Sequence, residues 1–388
     1  MPEPTYAVFE REEHAERLGR LRAFLRQGGH SGAVLMAPEH LYYFGGYDSW
    51  VSVNSPQAMI VTDRDDEPTL ILRDVDLPLA RETSWIGDLR TYSLVIDDYP
   101  SLLRDVLVEK GICQGTLLCE LQSYAVPFAL GQSIAEAVQP AQLVDATRSV
   151  GLLRLIKSPA ELRLLEEAAG HAGAGLAAFA HHVEPGITEI ELAGRIETAM
   201  RGSGSEYPAI PTELSSGARS AGGHATPRLK DIAEGDLVHA EFAGVQHRYH
   251  AVGIQTVSCG HANSECKALY SAGLQSLRAG IEAIRPGIVV AEIEEASLAP
   301  LRATGLEGAA MMRFGYGIGV AYPPIWLEAL QIARGFDETL SPGMAFVLHA
   351  CLELPDENLG VVLGGTYVLE ATGLRLLAGA GAAELLEL

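Results

Sequence analysis

Gly235-Asp236-Leu237-Val238-His239-Ala240-Glu241-Phe242 reads as a β-strand, and Tyr249-His250-Ala251-Val252-Gly253-Ile254-Gln255-Thr256-Val257 as the strand returning beside it. Val245-Gln246-His247-Arg248 joins them. A turn about Gln246 and His247 sets Glu241 opposite Val252, at the roughly 5 Å that separates opposed side chains in such a pair. Two carboxylates in those positions would bridge two cations, whereas a carboxylate facing a valine cannot. His239 and Glu241, two residues apart, share one face of the strand, and Val238, Ala240 and Phe242 form the other. Burial with no cation nearby raises a carboxyl pKa toward the range useful for proton transfer or attack. The expectation is an enzyme that works with one strand-borne carboxylate, Glu241, and without metal or other cofactor; the plain alternative is a glutamate on an exposed edge strand.

The composition is compatible with such an enzyme. Across 388 residues, 48% are hydrophobic and 20% charged, enough to fill more than one core. The balance of 28 basic to 50 acidic residues gives a net charge of −22, which disfavours nucleic acid as a partner. No apolar run is long enough to span a bilayer, and Met1-Pro2-Glu3-Pro4-Thr5 has none of the features of a signal peptide. The five cysteines (Cys113, Cys119, Cys259, Cys266 and Cys351) are scattered and lack metal-type spacing. These features predict a reduced, cytoplasmic protein with no membrane partner.

Outward from the hairpin, the first 150 residues alternate helical and extended patterns. Glu12 to Gln27 is amphipathic, with Leu18, Leu21, Phe24 and Leu25 at helical spacing and Gly28-Gly29 to end it. Extended runs follow at Gly32–Met36, Ala58–Thr62 and Thr69–Leu72, then two α/β passes around Leu102–Glu120 and Pro127–Val144. Residues 1–150 are therefore expected to be a small α/β domain. After a boundary near Asp145–Lys157, Ser158-Pro159-Ala160-Glu161 and Thr188-Glu189-Ile190-Glu191 each carry a capping box that starts a helix. Further helices are read at Ser264–Ile284 and Val289–Ala303, and strands at Ala209–Leu214, Ala345–Leu354 and Gly360–Leu369. Helices followed by long antiparallel strands predict an α+β catalytic domain over 155–388.

Several landmarks share one resemblance: Ser216-Gly217 leading to His224, the Gly235-Asp236 strand, Gly315 to Gly319, Pro342-Gly343-Met344, and Gly360-Val361 with Thr366. This layout resembles the pita-bread family of creatinase, prolidase and methionine aminopeptidase. The resemblance implies an α/β N-terminal domain, a pita-bread catalytic domain and a homodimer. Metal-dependent members bind two cations through two aspartates, a histidine and two glutamates; the matching positions here are Glu241, Val252, Tyr316, His349 and Gly364. Only Glu241 and His349 among them are ordinary donors, short of what two hard cations or a tetrahedral zinc site demand.

Gly45-Gly46-Tyr47-Asp48-Ser49-Trp50, Tyr207-Pro208-Ala209-Ile210, Arg248-Tyr249-His250, Gly315-Tyr316 and Tyr322-Pro323-Pro324-Ile325-Trp326 are similar to the metal-free branch of that family, which includes ectoine hydrolase and, more distantly, creatinase. By that resemblance Glu241 is the catalytic glutamate, Tyr47 contacts substrate, and the segment holding Tyr47 and Trp50 reaches the partner subunit's site. Gly364 stands where an acidic side chain is expected and Gln255 where an arginine is common. His224, in the loop Ala221-Gly222-Gly223-His224-Ala225-Thr226-Pro227, matches the histidine that handles substrate protons. Tyr316, Tyr322, Trp326 and His349 are expected to shape the pocket, with His239, Tyr249 and His250 as further candidates; His349 also fits as a core histidine and His250 as an orienting one.

The expected function is metal-independent hydrolysis of a C–N bond in a small cyclic amidine-type compound, with Glu241 as nucleophile or base and His224 as acid or base. Creatinase-type cleavage, a lyase acting on a small amino-acid derivative, and a non-catalytic binding protein on the same fold remain open alternatives.

Overall fold

The computed structural model describes residues 4–53 and 55–388. The chain divides into two compact units at Arg154/Leu155. In the first, α1 (Arg11–Gly28) ends on Gly29 in the left-handed conformation. It is followed by β1 (Gly32–Leu35), α2 (Pro38–Gly45), β2 (Ala58–Thr62), β3 (Thr69–Arg73), α3 (Leu77–Thr83), β4 (Asp88–Tyr92), α4 (Tyr99–Glu109), β5 (Thr116–Cys119), α5 (Phe128–Ala137), β6 (Gln142–Asp145) and α6 (Thr147–Leu152). The six strands form one mixed sheet in the order β4-β3-β2-β1-β5-β6. Its two faces carry separate apolar clusters, one around Leu18, Tyr43, Phe44 and Tyr47, the other around Val34, Tyr99, Leu103 and Ile134. Both faces are covered, as a sheet with fully buried central strands requires.

The second unit begins with α7 (Pro159–His182) and α8 (Glu189–Gly202), each opened by the capping box read from the sequence. Then come β7 (Glu213–Ser216), β8 (Leu237–Gln246), β9 (Tyr249–Ser258), α9 (Ser264–Ala283), α10 (Val290–Thr304), β10 (Gly315–Gly317), β11 (Gln331–Ile332), β12 (Ala345–Leu354), β13 (Leu359–Glu370), β14 (Gly373–Ala378) and β15 (Leu386–Glu387). They form two sheets, β15-β9-β8-β7 and β11-β10-β12-β13-β14. Two threonines join the sheets: Thr366 Oγ1 accepts from Val252 N at 2.7 Å and donates to Val252 O at 3.1 Å. Thr256 Oγ1 donates to Val362 O at 2.7 Å and accepts from Val362 N at 3.0 Å. No helix among the described residues is long and apolar enough to cross a membrane.

The hairpin forms as read, but its register differs. Gln246 pairs with Tyr249, so the turn is His247-Arg248, and Glu241 faces Ile254 while Val252 faces Ala243. Both turn residues have positive φ, 45° and 63°. That is the left-handed requirement of a two-residue hairpin turn, met without the usual Asn-Gly pair. The carboxylate of Glu206 supports it by accepting from His247 N at 3.0 Å and Arg248 N at 2.9 Å. The predicted strand at Ala209–Leu214 also begins later, at Glu213, after Pro208 and Pro211, which have no N–H to give a ladder.

Small residues let α7 lie directly on the hairpin: Ala168, Ala169 and Ala172 pack against Ala251. At Gly244 a Cβ would stand 2.1 Å from the carbonyl of Ala168 and 2.4 Å from the amide of Ala172. Gly244→Ala is accordingly expected to destabilise by at least the roughly 1–3 kcal/mol typical of overpacking. Gly173→Ala, on the exposed side of the same helix with open space around it, should be neutral or stabilising. Denaturant unfolding of both variants checks this; equal stability would show that the helix does not rest on the hairpin backbone.

Candidate active site

Along β8 every residue from Leu237 to Val245 is buried except Glu241. Its neighbours Ala240 and Phe242 point toward α7 and α8, where Phe242 joins Phe179, Ile196 and Met200 in one cluster. Glu241 points the other way, into a cavity of about 250 Å³ whose wall includes Glu213, His224, Arg313, Tyr316, Trp326 and His349. Ile210, Met311, Met312, Cys351 and Val362 complete much of the rest.

A hydrogen-bond chain fixes the carboxylate. The Trp326 indole N–H donates to Tyr316 Oη at 3.0 Å, and the Tyr316 hydroxyl donates to Glu241 Oε1 at 3.1 Å. Burial pushes the Tyr316 phenol well above its ordinary pKa, with the Glu241 charge adding to it, so the phenol keeps its proton and acts as a donor. Burial raises the Glu241 carboxyl to about 7, and the Tyr316 hydrogen bond opposes the rise. His349 lies beside Tyr316, ring centroids 5.8 Å apart. Burial above all, then the charges of Arg313 and His224, lower His349 to about 4, so its ring is neutral. Its Nδ1 is buried without a hydrogen-bond partner among the described residues. His224 is exposed at the mouth, on a loop held where Gly223 N donates to Glu353 Oε1 at 2.8 Å.

Five of the expected site residues thus converge on one cavity: Glu241, His224, Tyr316, Trp326 and His349. The others stand elsewhere. His239 is buried, its Nε2 2.8 Å from Ser215 Oγ and 3.1 Å from Ser220 O. Tyr249 donates to Glu161 Oε1 at 2.9 Å, tying β9 to the first turn of α7. His250 accepts from Ala209 N at 3.0 Å and its Nδ1 lies 2.8 Å from Arg248 O, which orients the segment leading to Ile210. Tyr322 lies under the guanidinium of Arg248, 4.9 Å from ring centroid to Cζ.

Arg248 itself stacks on Tyr207 at 3.9 Å and donates to Tyr207 O and Ala321 O. It therefore clamps two stretches of pocket wall together from the hairpin tip. In the first unit, Tyr47 is fully buried and its hydroxyl accepts from Gln57 Nε2 at 3.0 Å, whereas Trp50 is 58% exposed.

Glu213 is the main residue that the sequence reading passed over. It sits directly across from Glu241 on β7, and Ser215 sits across from His239. The same two-residue spacing on neighbouring strands is the signal that could have found it.

The donor set does not suit a metal pair. Among the described residues no group of three or more His, Cys, Asp or Glu side chains could hold a metal ion. At Gly364 a side chain is excluded, since a Cβ would stand 2.0 Å from Leu348 O and 2.8 Å from His349 Cα. Val252 offers only backbone, already bonded to Thr366.

A cavity floored by a strand-borne acid thus lies in the two-sheet unit that follows the α/β unit in the chain, and sequence comparison places the chain in a known family. Residues 163–371 match the metallopeptidase family M24 and residues 17–156 the creatinase/prolidase N-terminal domain. The chain belongs to metallopeptidase family M24, has its pita-bread fold, and is a hydrolase of carbon–nitrogen bonds. Ectoine hydrolase of Halomonas elongata is 30% identical, over 95% of this chain and 96% of that protein. A Xaa-Pro dipeptidase of Pyrococcus furiosus is 24% identical, over 93% and 97%. Among solved structures, a prolidase from Thermococcus sibiricus superposes with a TM-score of 0.87 at 20% identity, covering 97% of this chain and 99% of that one.

Tyr316→Phe removes the donor that favours the ionised form of Glu241, so the acidic limb of the kcat/KM profile should move to higher pH. A hydrogen bond to a charged group contributes about 1.5–3 kcal/mol, so activity at pH 6 should fall roughly ten-fold or more, and less at pH 8.5. A pH–rate profile measures it; an unmoved limb would mean that Tyr316 does not tune Glu241.

Proposed function

We propose that the protein is a metal-independent hydrolase that opens a C–N bond of a small, cationic cyclic amidine resembling ectoine. The observation that carries this reading is Glu241 itself, half-buried at the floor of a compact cavity and oriented by Tyr316, with no salt bridge among the described residues. A cavity of about 250 Å³ suits one small ring rather than an extended peptide. An amidinium carbon between two nitrogens is electrophilic, and its positive charge answers the acidic floor. Similarity to ectoine hydrolase supports the same substrate class. The absence of side-chain donors at Val252 and Gly364 supports chemistry that uses no cation.

Glu241 either attacks the amidine carbon or takes a proton from the water that does. Its raised pKa leaves it basic enough for proton transfer near neutrality. His224, exposed at the mouth, exchanges protons with solvent and product. Neutral His349 offers Nδ1 to the bound ring. The same reading makes the protein a cytoplasmic homodimer in which the exposed Trp50, rather than the buried Tyr47, is the side chain free to meet the partner subunit's site.

Glu241→Gln keeps the size and removes both the nucleophile and the base. Release of amine from ectoine and related cyclic amidines should fall at least roughly 10²–10⁴-fold, with the fold intact. Near-wild-type turnover by this variant, or tight calorimetric binding of a proline dipeptide with no amidine bound, would refute the reading.

A further inference from the structure

The chemistry described so far leaves one acid of the pocket without a task. Glu213 on β7 is the direct cross-strand partner of Glu241 on β8, and both side chains line the cavity. Opposed residues of an antiparallel pair share a face, with Cβ atoms roughly 4.5–5.5 Å apart. Neither carboxylate forms a salt bridge among the described residues. The groups that face them are Tyr316 from β10, His349 and Cys351 from β12, Arg313 just before β10, and His224 from the loop after β7. The Arg313 guanidinium is engaged by Gln331, His349 is neutral, and burial, with nearby carboxylates adding to it, raises the Cys351 thiol. Two carboxyls so placed, half-buried and with no ion pair to either, repel one another when both are ionised, which favours one proton held between them.

Burial, then the charge on Glu241, raises Glu213 to about 8. The Tyr316 hydroxyl donates to Glu241 and favours its ionised form, and no such donor reaches Glu213 among the described residues, which places the shared proton on Glu213. The unpartnered Nδ1 of His349, 5% exposed in the same wall, independently marks the place where a ligand is awaited.

We infer that Glu213 is a second catalytic carboxyl, the protonated partner of Glu241 that delivers its proton to the leaving nitrogen. This rests on the amidine reading of the site. As water attacks the amidinium carbon, its oxygen forms the new C–O bond, the C–N π pair withdraws onto nitrogen, and one water proton passes to Glu241, giving a neutral tetrahedral adduct. Glu213 then protonates the ring nitrogen, the C–N bond breaks, and its electron pair stays on nitrogen. The remaining hydroxyl proton ends on the freed amine, giving an amide and an ammonium group. Glu241 has gained one proton and Glu213 has lost one, so the pair still holds a single proton at the end of the step. The single negative charge of such a pair complements a monocation such as an amidinium, whose leaving nitrogen accepts a proton once the adduct has formed.

Glu213→Gln is isosteric and cannot donate a proton. With ectoine or another cyclic amidine as substrate, kcat should fall roughly 10²–10⁴-fold, and the basic limb of the kcat/KM profile should disappear. Near-wild-type kcat with the basic limb in place would overturn the assignment. A second measurement needs no substrate. An acid whose pKa is raised by folding contributes stability at low pH that is lost as pH climbs from the ordinary carboxyl range through the raised value. The Tm of Glu213→Gln relative to wild type should therefore rise between pH 5 and pH 8.5, and Glu241→Gln should show the same trend because the proton belongs to the pair. A flat difference for both variants would overturn the shared proton whatever the substrate. The expected Tm trend without turnover of any amidine by the wild type would instead overturn the amidine reading, and the delivery step with it.

Discussion

The hydrogen bond from Tyr316 to Glu241 joins the two sheets of the second unit at the point where chemistry is expected, because Tyr316 belongs to one sheet and Glu241 to the other. A lone carboxylate on a strand that is otherwise buried would be costly unless it were protonated, paired with a cation or well solvated by donors. Here the phenol supplies one donor, the indole of Trp326 fixes the phenol, and the neighbouring acid supplies a proton to share. The phenol and the indole meet Glu241 only while the two sheets stay in register, whereas Glu213 lies on the same sheet as Glu241. That register is held by Thr366 and Thr256, which bond across the gap to the backbones of Val252 and Val362. Stability of the fold and readiness of the site therefore depend on the same contacts.

The pocket wall opposite β8 owes its rigidity to interactions remote from the reacting groups. Arg248 stacks between two tyrosines and bonds to two backbone carbonyls, which fastens the loops bearing Ile210 and Trp326 to the hairpin tip. Below them, Lys157 and Glu328 form a buried ion pair at 2.5 Å. Glu328 N also bonds to Gly317 O, so the loop is tied to the strand that carries Tyr316. The stretch Tyr322-Pro323-Pro324-Ile325-Trp326 is thus held in place by two cations, and only its last residue, Trp326, reaches the cavity. Tyr322 serves the clamp instead.

Local patterns gave a legible account wherever local physics decides the outcome. Capping boxes at Ser158 and Thr188, the αL glycine after the first helix, and apolar runs such as Ala58–Thr62 and Ala345–Leu354 are short-range signals, and the structure follows them. Where the sequence misled, a distant residue was responsible. The hairpin turn sits on His247-Arg248 because Glu206, some forty positions upstream, satisfies its backbone; no Asn-Gly marks it. Glu241 was legible as the central acid because it interrupts an apolar strand. Glu213 was not, because its importance comes only from pairing with a strand beyond a long loop, and prolines at 208 and 211 obscure where β7 begins. His239 and His250 read as site histidines since imidazoles attract a functional reading, yet both spend their hydrogen bonds on holding loops.

The central claim is that this branch of an M24 scaffold works through carboxyls and a phenol where related donor sets would present a cation. The most direct measurement is turnover of a cyclic amidine by exhaustively chelated protein, with metal content determined on the same sample and manganese, cobalt and zinc added back separately. The account predicts well under one transition metal per chain, undiminished turnover after chelation, and no gain from any added cation. Stoichiometric, tightly held metal, or activity that vanishes on chelation and returns with one of these ions, would contradict it.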